Sequence, residues 1–328
     1  MTERHQSSLR WARLAVGVAF GLLLLKMVAA WMTGSSAVLS DAAESVVNVV
    51  AASVMLLAVR SAAEPADAEH PFGHGKAELL AAAFEGALLL AAALIIGWNA
   101  LPALFAPEPV EHLGWGSLLI GLTAVGNGVF GGLLIRNGGR TGSPALVADG
   151  RHLLTDAVST VGVLVAIGLV ELTGLAWIDP AAACILAIWI AYTGTTVVSG
   201  ATRGLLDTRS PEYAERIAAA LSDPPIEGLL EPHDLRVLDA TSNVVVLLHA
   251  RAPWMWTLER GHALQEQTEA RVASVFTVPS EVQVQLEPCV PRCCQACRVK
   301  DCERRSVDFT APAPLEPRQI SAPHPRSP

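Results

Sequence analysis

The chain has 328 residues, 52% of them hydrophobic and only 16% charged, with a mean hydropathy of +0.41. This excludes an ordinary soluble domain and predicts a polytopic membrane protein. A formal net charge of −8 argues against a basic surface, so no nucleic-acid partner is expected.

Six apolar stretches reach the ~20 residues needed to cross a bilayer. They run at roughly 11–32, 37–59, 78–104, 114–135, 144–170 and 177–200. The first has full span length and no small-residue cleavage site after it, so no cleaved signal peptide is expected. Arg and Lys cluster before span 1, between spans 2 and 3, between spans 4 and 5, and after span 6; the alternate loops "TGSS", "APEPVEH" and "ELTG" carry none. Positive charge stays on the cytoplasmic side, which predicts a multi-pass protein of the cell membrane with both termini in the cytoplasm.

Polar residues inside these spans are costly and point to a task. Lys26 lies deep in span 1, placed to snorkel or to pair with a carboxylate. Span 2 reads "SDAAESVVNVV", with Glu44 and Asn48 four apart. The loop that follows, "DAEHPFGHGKAE", gathers Asp67, His70 and His74 beside Gly73 and Gly75. A carboxylate and two imidazoles within eight residues suit zinc, and the glycines let the loop fold round an ion. Asn127 interrupts span 4, where no transport role is expected of it. Span 5 echoes span 2: "ADGRHLLTDAV" sets His152 and Asp156 four apart. Four-residue spacing puts both members of each pair on one helix face. Two such faces turned together present four N and O ligands around one point, as a zinc-like ion requires. Asp41 and Asp149 stand three residues before their respective pairs, placed to orient the ligands or to serve as gate partners. Cys184, in span 6, reads as a packing residue.

From about residue 207 the composition becomes that of a soluble domain. A Ser-Pro start opens the amphipathic helix "RSPEYAERIAAALSD"; two strand-like runs, a second helix and the alternating strand "SEVQVQLEP" follow. The expected fold is therefore an α-helical membrane protein with six transmembrane helices, 1–206, and a small α+β (αββαβ) domain, 207–288. A cysteine-rich segment, 289–303, and a Pro-rich tail expected to be disordered, 304–328, complete the chain. Cys289, Cys293, Cys294, Cys297 and Cys302 fall within "CVPRCCQACRVKDC". In a reducing compartment such density argues for soft-metal coordination, with a redox switch or a cluster site as the alternatives.

The combination resembles the cation diffusion facilitator family of divalent-metal transporters. The resemblance rests on six spans, the HxxxD face in span 5, the paired face after "SDA" in span 2, the loop "HPFGHGKAE" and an αββαβ domain containing "HDLR". It implies Glu44, Asn48, His152 and Asp156 as the transport site at mid-membrane, and Asp67, His70 and His74 as a second site on the cytoplasmic side. It implies a metal-binding, dimerising cytoplasmic domain whose ligand candidates are His233, His249 and His262. Relatives commonly end the last strand in His and, two residues on, Asp; Gln285 and Glu287 stand there in this chain. Asn48 replaces the usual Asp, which lowers the formal charge of the site by one. The expected activity is proton-coupled export of a divalent cation by a homodimer. Zinc is placed first, with cadmium, cobalt, nickel, iron and manganese open; metal ions serve as substrate and regulatory ligand, and no catalytic cofactor is implied. The rival reading is a non-transporting metal sensor signalling through the cytoplasmic domain. A metal hydrolase lacks its HExxH string, and a channel usually shows rings of carbonyls or charges instead of one tight site.

Overall fold

The computed structural model describes residues 3–33, 36–106, 114–208, 210–240, 243–300, 302–310 and 315–322, with the side chains of residues 29, 30, 32, 33, 36–44 and 114–120 outside the description. The chain divides into two compact units, Met1–Leu206 and Asp207–Pro328.

The first unit is built from six long helices: α1 (Glu3–Thr33), α2 (Ser36–Ala62), α3 (Ala77–Phe105), α4 (Gly114–Thr141), α5 (Pro144–Thr173) and α6 (Ile178–Leu205). Over their described residues, five of them are long and apolar enough to cross a membrane: α1, α2, α3, α5 and α6. Several helices run past the apolar stretches that announce them, because a helix continues into water wherever polar residues tolerate it. The start of α5 shows why it begins where it does. Ser143 is its N-cap, accepting from the Leu146 amide, Pro144 sits in the first turn, and Gly174 closes the helix with φ 69°.

Packing inverts the pattern of a soluble protein. Alanines such as Ala12, Ala51, Ala81, Ala145 and Ala148 are buried, while Trp98, Leu94, Leu172 and Ile188 face outward. Lipid rewards apolar exteriors and gives little drive to bury leucine, so helices associate through small residues that let backbones approach. Gly86 and Gly194 make the α3–α6 crossing: a Cβ on Gly194 would lie 3.0 Å from the Gly86 carbonyl. Gly131 and Gly150 do the same between α4 and α5, where a Cβ on Gly150 would lie 2.8 Å from the Gly131 carbonyl.

The second unit contains α7 (Pro211–Ser222), β1 (His233–Asp239), β2 (Val244–Ala252), α8 (Leu258–Ala273) and β3 (Ser280–Pro288). The sheet order is β1-β2-β3; β1 is antiparallel to β2, and β3 is parallel to β2. A parallel neighbour needs a crossover, and α8 supplies it. Ile217 and Leu221 of α7, Val246 and Leu248 of β2, and Leu264 and Val272 of α8 form one buried core.

After β3 the chain does not simply leave the domain. A 3-10 turn covers Pro291–Gln295, and a single helical turn, α9 (Pro317–Ile320), lies within the stretch expected to be disordered. Ile320 is fully buried in the domain core, the Leu315 amide donates to Ser222 Oγ, and the Asp234 amide donates to the Ala322 carbonyl. One isoleucine in a proline-rich stretch is a weak compositional signal, yet it is enough to anchor these eight residues.

Candidate functional site

Three constellations take shape. The first lies between α2 and α5. His152 Nε2 is 3.1 Å from Asn48 Oδ1 and 3.7 Å from Asp156 Oδ2, and Asn48 Nδ2 donates to the same Asp156 oxygen at 3.2 Å. Bonds of about 2.0–2.1 Å in a tetrahedral site place neighbouring ligand atoms about 3.3 Å apart. The 3.1 Å from His152 Nε2 to Asn48 Oδ1 is close to that edge and the 3.7 Å to Asp156 Oδ2 is wider, while Asn48 Nδ2 only donates to the carboxylate. The side chains of Glu44 and Asp41 lie outside the described residues. Asp149 is buried and lines a small cavity of about 20 Å³ with Lys26, Ser45, Asn48 and Asn127. Asn127 thus reaches the same chamber as a site residue.

The other face of His152 meets a residue that sequence reasoning passed over. Glu85, on α3, is only 1% exposed, and its Oε2 lies 3.2 Å from His152 Nδ1. The signal was present as a lone carboxylate in the apolar run "AAAFEGALLL". It lacks a polar neighbour four residues away, so the pairing pattern that picks out α2 and α5 does not pick it out. Glu78, at the start of α3, is likewise buried and accepts from the Ser143 hydroxyl that caps α5.

The second constellation is the loop between α2 and α3. Asp67 Oδ1 accepts from the amides of Glu69 at 2.9 Å and His70 at 2.6 Å, and Gly73 turns the chain with φ 81°. These bonds, the His70 amide first, hold the Asp67 carboxyl below its ordinary value. His70 Nδ1 lies 3.3 Å from Asp67 Oδ1 and His74 Nε2 3.6 Å from Asp67 Oδ2. One atom from each of the three residues lies within 4.8 Å of the others.

The third is in the soluble unit. β1–β2 register places His233 opposite His249. Glu287 reaches them from β3, with Oε2 3.7 Å from His233 Nε2 and Oε1 3.2 Å from His249 Nδ1. Gln285 pairs in register with His249, but its side chain is exposed. His262 stands apart on α8, exposed and 3.5 Å from Glu266. The buried Arg251 guanidinium touches the same carboxylate, Nη2 to Glu287 Oε2 3.5 Å, and also Glu231 Oε2 at 3.0 Å.

The tail cysteines do not form a fourth. Among the described residues, no three of their thiols and neighbouring ligands come within the 4.8 Å that unites the loop and β-sheet groups. Cys289 and Cys302 are half-buried, and Cys293, Cys294 and Cys297 are buried. The Cys293 thiol donates to Glu231 at 3.3 Å, and Arg305 donates to the carbonyls of Cys294 and Cys297.

A model of the cation efflux transmembrane domain matches residues 12–206, and one of the cation efflux protein's cytoplasmic domain matches residues 210–289. The chain belongs to the cation efflux family. This cation efflux transporter is 38% identical over 279 residues to an uncharacterised transporter of Synechocystis sp., covering 85% of this chain and 89% of that one. It is 32% identical to the cation-efflux pump FieF of Cronobacter sakazakii, over 86% of this chain and 94% of the pump. The Klebsiella pneumoniae pump of the same name is 31% identical, over 85% and 92%. Family membership makes the protein a multi-pass cation transporter and not an enzyme, with its carboxyl-terminal αββαβ unit a cytoplasmic domain.

Proposed function

We propose that the protein is a homodimeric exporter that drives a divalent cation out of the cytoplasm in exchange for protons, with zinc as its foremost cargo. The observation that carries this reading is the meeting of Asn48, His152 and Asp156 between two membrane helices, with His152 Nε2 3.1 Å from Asn48 Oδ1 and 3.7 Å from Asp156 Oδ2. Glu44 completes the set from α2. An imidazole and carboxylates bind metal only when free of protons, so metal and proton compete for the same atoms. Cytoplasmic metal displaces protons on the inward-open side, and protons entering from outside weaken the site and release the ion. Asp67, His70 and His74 bind a second cation at the cytoplasmic mouth. His233, His249 and Glu287 bind a regulatory one in the domain through which two copies associate. The protein sits in the cell membrane with both termini in the cytoplasm.

Zinc is favoured because imidazole and carboxylate together suit it; cadmium, cobalt, nickel, iron and manganese are the competing cargoes. The test is metal uptake by proteoliposomes under an imposed pH gradient, across these six metals, for the parent and for the double variant His152→Ala, Asp156→Ala. Gradient-driven zinc flux that falls at least a hundredfold in the double variant is the expected result. Metal binding without flux in the parent would replace transport by sensing.

A further inference from the structure

His152 has two ring nitrogens, and they face different helices. Nε2 faces Asn48 and Asp156. For it to offer a lone pair to a cation held there, the ring proton must reside on Nδ1. The group 3.2 Å from Nδ1 is the Glu85 carboxylate, which can only accept. A carboxylate placed behind a ligating histidine fixes both its tautomer and its ring rotation.

Three further features make this arrangement more than a chance contact. Glu85 is 1% exposed, a costly place for a carboxylate in a membrane helix. Both Glu85 oxygens and His152 Nδ1 are buried without a hydrogen bond among the described residues, and the 3.2 Å approach of Oε2 to Nδ1 is the contact that brings these unsatisfied groups together. The next residue, Gly86, presses directly on α6, where an added Cβ would come within 2.7 Å of Val198 Cγ2. That close crossing fixes α3 against α6 at the residue next to Glu85. Asn48 brings no charge to the imidazole from α2, and Glu85 brings a carboxylate to it from α3.

We propose that Glu85 is the positioning residue of the transport site: it holds the Nδ1 proton of His152 and so aims Nε2 at the cation shared with Asn48 and Asp156. This rests on the reading of those three residues as the transport site, and the experiment separates the two. Zinc flux into proteoliposomes is measured against zinc concentration for the full-length parent, Glu85→Gln and His152→Ala. In parallel, ¹⁵N-histidine spectra of the zinc-loaded parent and Glu85→Gln report which His152 ring nitrogen carries the proton, its signal assigned by its loss in His152→Ala. Gln is nearly isosteric with Glu, so packing alone predicts no change.

The expected result is a KM for zinc raised about 10- to 100-fold in Glu85→Gln, with the maximal rate within about threefold of the parent and a His152 ring that no longer keeps its proton on Nδ1. A KM within twofold of the parent overturns the proposal, as does altered flux with the tautomer unchanged. If His152→Ala transports like the parent, the transport-site reading itself fails. If His152→Ala is inactive and Glu85→Gln behaves like the parent, only the role of Glu85 fails.

Discussion

Cys293 illustrates how environment decides what a thiol can do. Burial, and then the Glu231 carboxylate to which it donates, push this thiol up to about 11 from an ordinary value near 9. Burial works against charge on Glu231 as well, but Arg292, Cys293 and Arg251 together hold that carboxyl below its ordinary value. The pair is therefore a neutral donor on a charged acceptor, an arrangement that keeps a thiol unreactive. Because the folded value is the higher one, the fold favours the protonated thiol. That contribution is complete below about pH 9 and is lost as pH rises through about 11. Alkylation followed by mass spectrometry should find Cys293 nearly inert at pH 7.5, with a rate rising close to tenfold per pH unit up to about 11. Rapid labelling at neutral pH would contradict the donor role. Sequence density alone reads these cysteines as metal ligands, since spacing records how near thiols are along the chain and not where each one points.

At the scale of elements, two close helix crossings hold the site. Gly150 lies between Asp149 and His152 on α5, and its missing side chain lets α5 meet the Gly131 carbonyl and the Ile135 amide of α4. Both neighbours are backbone, so a side chain here cannot be accommodated by a rotamer change. Gly150→Val should separate α4 from α5 and cost about 1–3 kcal/mol, the usual range for overpacking. The displaced His152 should raise the KM for zinc in the flux assay several-fold and lower the temperature of aggregation in detergent. A variant with parental stability and KM would show that the crossing does not position the ligand. The hydrogen bond from Ser143 to Glu78 ties the start of α5 to the start of α3. The two helices that supply His152 and Glu85 are thus linked near one end as well as at the site.

At the scale of the molecule, the soluble unit owns more of the chain than its family match suggests. Residues 315–322 return to the sheet through Ile320, fully buried, and through the Asp234–Ala322 hydrogen bond. Asp234 adjoins His233, so the returning tail braces the strand that carries one ligand of the cytoplasmic cluster. Removing the buried side chain in Ile320→Ala should cost about 2–5 kcal/mol of local stability. Hydrogen exchange should then speed up at β1 and at residues 315–322, with the membrane helices unchanged. Exchange unaltered at β1 would mean the tail rests on the domain without supporting it.

Much of this protein is legible without coordinates. Apolar runs of span length announce the membrane unit because lipid imposes a strong, local constraint on every residue that crosses it. The four-residue spacing of His152 and Asp156, and the density of Asp67, His70 and His74, are equally local, and helix or loop geometry alone brings their members together. Other features depend on distances between segments far apart in sequence. The tertiary structure decides that Glu85 stands behind His152, because that contact joins α3 to α5, two helices far apart in sequence. It decides that Glu287 joins His233 and His249 while His262 does not, because sheet register and helix face determine which side chains converge. It also decides that Ile320 is core, since whether one apolar residue is buried depends on the surface that the rest of the fold offers it.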